Sequence, residues 1–529
     1  MYDVAIAGAG LCGLTVARAL AGEGLSVVLL EARDRLGGRI LTRNCVSSGL
    51  AIDLGAGWLW PETQPLMREL VQALGLATFP QHDEGMLISL DDPEKGPQEI
   101  GSDPVHGGAL RVAGGMGTLV EALAARLGGA ELRLRARLVE AANCGDHVRL
   151  RIDTPHDSTE IAARHLVVAL PPRLAAASVG FAPPLPAALA EAMARNRTWM
   201  AAAAKVAVPQ AASDWRALGL SGSAFVTHAQ AVLAEVFDAS DASGDIAALG
   251  GFVALPPDQR AAFAEGLPML IGNQLAQLFG PGHDGDEILC QDWADEPLTC
   301  TIADRIERRR DHPAAVDPEL LRAHWGGRLH FGGAETAERE PGYMEGALGA
   351  AKRVVRAVQL ARLQREALTL PNNRAGIERF ARWVAGQREV VLVAYERKIT
   401  ARLARRERDR MTQFAVIETI EAVFEAALGE LAAIGFDPRS VPVERGRSAL
   451  TPLAQEPFRA LLDGMIADVL RFNGGSCALS NFPAEHRPSA DYVQAILRDI
   501  AAAWSEFSQR ANTLLLGSRP ARLEELSVR

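Results

Sequence analysis

The sequence has little of what marks several protein classes. Its six cysteines (Cys12, Cys45, Cys144, Cys290, Cys300, Cys477) lie far apart with no CxxC pair. That fits a reducing compartment better than a disulfide framework or a cysteine-ligated structural zinc. The eleven histidines are equally dispersed, and no metal is expected. Apolar runs such as Val390–Tyr395 fall far short of the roughly 20 residues of a membrane span. The chain enters the apolar segment Val4–Ala7 without a basic start, a long apolar core or a small-residue cleavage site, so no secretory leader and a cytoplasmic location are expected. A basic excess is missing too: the net charge is -10, which argues against nucleic acid and leaves any phosphate binding local. What is present, 48% hydrophobic and 23% charged residues over 529 positions, describes a soluble globular protein of two or three domains.

The first local signal is "DVAIAGAGLCGLTVARALAGEGLSVVLLEARDRLGGR", read as strand, glycine turn, helix, strand. Gly8, Gly10 and Gly13 form GxGxxG directly after an apolar strand. The first glycine permits the turn, the second lets backbone approach a pyrophosphate, and the third allows helix and strand to pack closely. The helix N-terminus then faces the anion. Glu31 ends the second strand, where a carboxylate accepts hydrogen bonds from a ribose hydroxyl and disfavours a 2'-phosphate. This pattern serves NAD or FAD. Arg33 and "RLGGR", with Gly38 and Arg39, add glycines and guanidiniums beyond the ribose carboxylate. There an Arg can pair with a pyrophosphate and an extended ligand can lie along the backbone, which an NAD site does not need.

"EARDRLGGR" together with "IDLGAGWLWPETQPLMRELVQALGL" (Ile52–Leu76) resembles the flavin-dependent amine oxidase family, which includes monoamine, polyamine and L-amino-acid oxidases. The resemblance runs over about residues 1–365. "VAGGMGTLVEALAARLG" (Val112–Gly128) is similar to the family's glycine-paired segment that opens a helix, with Thr118 and Glu121 in capping-box spacing. "LRLRARLVEA" and "RHLVVALPPRL" resemble strands returning to the nucleotide domain, with the backbone of Leu138 at the adenine. "HFGGAETAEREPGYMEGALGAAKRVV" (His330–Val355) resembles the C-terminal flavin motif, in which Gly332 and Gly333 allow close approach and a helix from near Met344 points its positive end at the flavin's N1 and O2 edge. Gly57, Trp58 and Glu335 fall on the cofactor side of the same motifs. The implied fold class is α/β: a discontinuous Rossmann-like FAD-binding domain of the glutathione-reductase type (1–75, 105–175, 288–368) interleaved with an α+β substrate domain (76–104, 176–287). An all-α domain (374–529) follows.

The resemblance also implies roles. Tyr343 matches an aromatic cage residue beside the flavin, against the plain alternative of a tyrosine packed on a helix start. Lys205, ten residues before Trp215, resembles the lysine that holds a water at flavin N5; a lone Lys in an apolar strand otherwise reaches for solvent. Trp293 in "QDWADEPLTCTIAD" resembles the fixed aromatic of the family. Cys300 comes two residues early relative to the family's flavin-linked cysteine and no tyrosine follows it, so noncovalent FAD and one tyrosine wall are expected, with a Cys300 linkage as the alternative. The implied reaction passes a hydride equivalent from a neutral amine to FAD, then electrons to O2, giving imine and hydrogen peroxide. The partners are thus a small-molecule amine and O2. Alternatives are an L-amino-acid oxidase or desaturase of the same fold, and an FAD-bound scaffold acting through its helical tail.

Beyond Leu368, "TLPNN" (Thr369–Asn373) reads as a linker. Residues 370–529 carry 22 Lys/Arg and 20 Asp/Glu, a balance of +2 that leaves -12 for the rest. Ile377, Phe380, Ala381 and Val384 recur at helical spacing, and a helical stretch is expected from Arg388 to Ile434. The basic cluster Arg397–Arg410 has interleaved acids and reads as a solvated helix face. Arg471–Ser489, with Cys477 and His486, reads as an ordered loop, and Val493, Ile496, Leu497, Ile500 and Trp504 form the stripe of a closing helix. A homodimer is compatible with this tail, but no motif assigns it a dimer, lid or docking role.

Overall fold

The structure, a computed structural model, describes residues 1–282, 287–307, 315–405, 407, 409–437 and 441–517. It divides into two units, Met1–Val358 and Gln359–Arg529. No helix among the described residues is long and apolar enough to cross a membrane.

In the first unit the apolar strand Tyr2–Ala7 lies inside an eight-stranded sheet. Its parallel part runs Glu131–Arg133, Val27–Leu30, Tyr2–Ala7, the end of Ser158–Val168, and Leu329–Phe331. Alternate residues of these strands go to opposite cores. Val4, Ile6, Val27 and Leu29 pack with Leu14 and Ala17 of the helix Leu11–Gly22 and with Ala351 and Val354 of the helix Met344–Ala367. Ala5, Ala7, Val28 and Leu30 pack on the other side with Leu189 and Met193. Burial on both faces is why these strands read as continuous apolar runs. The first half of Ser158–Val168 instead closes an antiparallel meander with Val148–Asp153 and Arg137–Asn143.

A second, seven-stranded sheet takes Leu289–Asp292, Ala204–Gln210, Ala247–Val253, Leu233–Asp238, Leu220–Val226, Met86–Leu90 and Gln98–Gly101 in that order. Two sequence boundaries shift here. Gly180–Ala182 pairs with Glu140–Ala142, and Leu189, Ala192 and Met193 fill the core of the first sheet, although 176–287 was assigned to the other domain. Leu289–Asp292 pairs with Ala204–Ala207 of the second sheet, although 288–368 was assigned to the first. Strand pairing across 40 residues in the first case and 82–88 in the second decides both, and it leaves no local mark in composition.

The second unit is built on helices Pro371–Ala404, Met411–Ala433, Leu450–Gly475 and Ala490–Leu516, around Phe380, Phe424, Phe458 and Phe507. A two-residue hairpin pairs Val443–Glu444 with Arg447–Ser448. Pro371 stands at the start of a helix rather than in a linker, where its missing N–H is harmless. The stretch expected to be helical from 388 to 434 is interrupted between Ala404 and Met411, with Arg410 in the left-handed region at φ 51°. Arg402 there pairs with Glu407 and Glu418, and Lys398 with Glu418, as a solvated face would. The expected loop from Arg471 starts only after Gly475 and contains the short helix Pro483–His486.

Candidate active site

One cavity of about 330 Å³ in the first unit runs from the glycine turn to the start of the helix Met344–Ala367. Gly8, Gly10, Glu31, Arg33, Gly38, Arg39, Gly57, Trp58, Leu138, Lys205, Trp293, Gly333, Tyr343 and Met344 all line it. Gly13 and Glu335 do not. A Cβ on Gly13 would stand 1.9 Å from the Gly8 carbonyl oxygen, so its role is close packing under the turn.

At the nucleotide end, the helix Leu11–Gly22 has no side-chain cap, so its first N–H groups are available to an anion. A Cβ on Gly10 would meet nothing nearer than 3.9 Å, which leaves the backbone edge open to a ligand. Glu31 is buried and rigidly held: its carboxylate accepts from Ala9 N at 2.8 Å and Arg33 N at 2.9 Å, with lone pairs to spare. This open glycine edge, uncapped helix and fixed carboxylate fit the ribose and pyrophosphate of a dinucleotide.

Two arginines expected near the pyrophosphate are engaged by protein groups. Arg33 donates to Thr299 Oγ1 at 2.8 Å and Glu296 Oε2 at 3.3 Å. Arg39 makes a two-pronged pair with Glu335, at 2.6 and 2.9 Å, and donates to Trp199 O at 2.9 Å. Glu335 also accepts from Trp199 N. Glu335, expected at the cofactor, is therefore a buried bracket that ties the first glycine loop to the C-terminal motif, 296 residues away.

At the far end, the strand Ala204–Gln210 presents Lys205 to the cavity. Its Nζ donates to Gly55 O at 3.1 Å and lies over the Trp58 ring at 4.5 Å, with Phe237 and Phe252 at 5.2 and 5.6 Å. Burial lowers its pKa to about 8, although Asp53 pulls the other way. Trp293 is held by its Nε1 donating to Leu54 O. Tyr343 directly precedes the helix Met344–Ala367, and its ring lies 5.9 Å from that of Trp199. A Cβ on Gly342 would meet Trp199 Cβ at 2.5 Å, so this glycine seats the tryptophan. Cys300 packs in a small cluster with Ala201 and Ala294 away from the cavity wall, and burial raises its thiol to about 11.

Sequence reasoning missed Trp199 and Phe252 on this wall and Asp53 behind it; no motif in the sequence marks Trp199. The capping box expected at Thr118 and Glu121 does not form. The helix Gly117–Ala124 is capped from outside, with Met116 N donating to Asp53 Oδ1 and Gly117 N to Thr42 Oγ1.

The sequence profile described as flavin containing amine oxidoreductase matches residues 11–98 and 94–359. A probable flavin-containing monoamine oxidase A of Dictyostelium discoideum is 41% identical over 85 residues, 16% of this chain and 18% of that protein. Putrescine oxidase of Kocuria rosea is 40% identical over 88 residues, 17% of this chain and 18% of that protein. These alignments thus span under a fifth of either relative. A solved structure of wild-type putrescine oxidase bound to putrescine aligns with a TM-score of 0.55 at 21% identity, covering 68% of this chain and 98% of that one. A shared fold, the cavity with a dinucleotide cradle at one end, and a profile match over most of the first unit lead to one conclusion: the chain belongs to the flavin-containing amine oxidoreductase family.

Proposed function

We propose that the protein oxidises a primary or secondary amine, with FAD bound noncovalently in the main cavity and O2 as final acceptor, yielding an imine and hydrogen peroxide. The observation that carries this reading is that Lys205, Tyr343 and Trp199 share one cavity with the glycine turn and Glu31. FAD, when bound, supplies the acceptor for a hydride equivalent. The chain binds and orients. Glu31 takes the ribose hydroxyls, the helix start at Leu11 faces the pyrophosphate, and the Leu138 backbone meets the adenine. Gly333 and the positive end of the helix at Met344 serve the flavin ring.

Tyr343 and Trp199 form adjoining aromatic walls where one tyrosine was expected. Together with Phe252 and Met200 they make an apolar approach that favours the uncharged amine, because an unpaired ammonium would lose its hydration there. Lys205, half protonated near pH 8, orients a water at the reacting face. Cys300, off the wall and held as a thiol, supports noncovalent attachment.

The test is a peroxide-release screen of the purified protein over monoamines, polyamines and amino acids. Amine-dependent peroxide is expected; no peroxide with any of them would overturn the reading. Acid precipitation should release the yellow colour into solution, and colour kept in the pellet would refute noncovalent binding.

A further inference from the structure

Asp53 is buried and only half satisfied. Its Oδ1 accepts from Thr42 Oγ1 at 2.5 Å and Met116 N at 2.8 Å, while Oδ2 has no partner. A carboxylate oxygen left bare in the interior is destabilising, so its presence needs an explanation. Asp53 also borders a small cavity of about 10 Å³, walled by Gly57, Trp58, Arg111, Lys205 and Phe237. That is the room one water requires. Asp53 Oδ2 and Lys205 Nζ each lie 3.5 Å from the point where a Cβ on Gly57 would stand, and Oδ2 accepts no hydrogen bond from Nζ, which donates to Gly55 O instead. The missing side chain of Gly57 therefore keeps open the gap between the two charges. Lys205, with Gly57 and Trp58, forms the wall shared by the small cavity and the main one.

We propose that Asp53 is a positioning residue for Lys205: across this one-water gap its bare Oδ2 favours the charged form of Nζ and fixes where it sits between the two cavities. This rests on the reading of Lys205 as the residue that works at the flavin. Other charges face the same group. Arg111, donating to Ser240 O and Ala239 O, opposes Asp53, and is itself influenced by Asp238 and Asp241. Glu235 acts from the same sheet, where it and Lys205 both pair with Phe252. His106 stacks on the Trp58 ring that Lys205 touches. Among these, Asp53 alone combines a bare oxygen with an open gap to Nζ.

The chain has only four lysines, Lys95, Lys205, Lys352 and Lys398, so selective 13Cε labelling of the full-length flavin-bound protein gives four lysine methylene signals. The one absent from Lys205→Met is Lys205. In Asp53→Asn the amide oxygen still accepts from Thr42 and Met116 and only the charge is lost. The Lys205 midpoint should fall by about one unit, a tenfold weaker hold on its proton, while the other three lysines stay fixed. An unmoved Lys205 midpoint in folded Asp53→Asn overturns the proposal. Linkage supplies a second test that needs no change at Asp53: Lys205→Met must raise the pKa of Asp53 by the same factor. Difference infrared spectroscopy should then show a protonated buried carboxyl at higher pH than in the parent, and its absence equally overturns the proposal. Both readouts follow titration rather than turnover, so a failed peroxide screen with these shifts intact would sink the oxidase reading alone.

Discussion

Each unit buries a polar cluster, and the two are finished differently. In the helical unit Glu485 accepts from Met411 N at 2.9 Å and Thr412 N at 2.8 Å, capping the helix Met411–Ala433, and Tyr492 donates to the same carboxylate. Asn473 joins it by accepting from Tyr395 and donating to Thr412 Oγ1 and Glu485 O. Every named group there has its partner. In the first unit Asp53 Oδ2 has none, and Lys205 spends its ammonium on one carbonyl and aromatic faces. A satisfied buried cluster fixes a structure, whereas a cluster left short keeps a group whose charge can change. The contrast separates the scaffold from the chemistry more sharply than composition does.

Four experiments would break or sharpen that contrast. Glu485→Ala leaves two helix N–H groups and a tyrosine hydroxyl unpaired. It should cost about 3 kcal/mol in urea unfolding of the helical unit, with flavin absorbance per folded molecule unchanged; a loss of flavin instead would merge the two roles. Lys205→Met should slow reoxidation by O2 about 100-fold, with reduction by amine changed far less, and stopped-flow traces with the opposite pattern would remove Lys205 from its role. His106 provides a pH test. Burial disfavours its charged form, but Asp83 and Glu235 outweigh this and hold its pKa at about 9, against 6.5 for the free side chain. Its stabilisation is complete below pH 6.5 and fades as pH rises through 9. Relative to His106→Gln, the parent should therefore lose about 1–2 kcal/mol between pH 6 and 8, and parallel curves for the two proteins would refute it. Trp199→Ala should raise KM for amine about fivefold, roughly 1 kcal/mol of lost aromatic contact, with a smaller effect on kcat.

The nucleotide end of the cavity was legible because its physics is local. A glycine turn, an uncapped helix and a terminal carboxylate sit within about 25 consecutive residues, and each leaves its residue type in place. Lys205 and Tyr343 were legible through the resemblance of their surroundings to known motifs. Trp199 was not, because it is brought to the wall by Arg39, Glu335 and Gly342, none of them near it in sequence. Asp53 sat inside a quoted motif and still went unread, since its meaning depends on what Oδ2 faces. In the tail, glycine and proline misled as punctuation: Pro371, read as part of a linker, opens the helix Pro371–Ala404, while the break before Met411 has neither residue at Arg405, Glu407, Asp409 or Arg410.

The pairing of Arg39 with Glu335 has a bearing on biosynthesis. A ribosome that has released the first 300 residues has made the glycine turn and its helix, but neither the last parallel strand, Leu329–Phe331, nor the glutamate that locks the first loop. The cofactor's grip therefore closes as one of the last events in forming the first unit, and nascent chains that stop short of that glutamate are born unable to complete it.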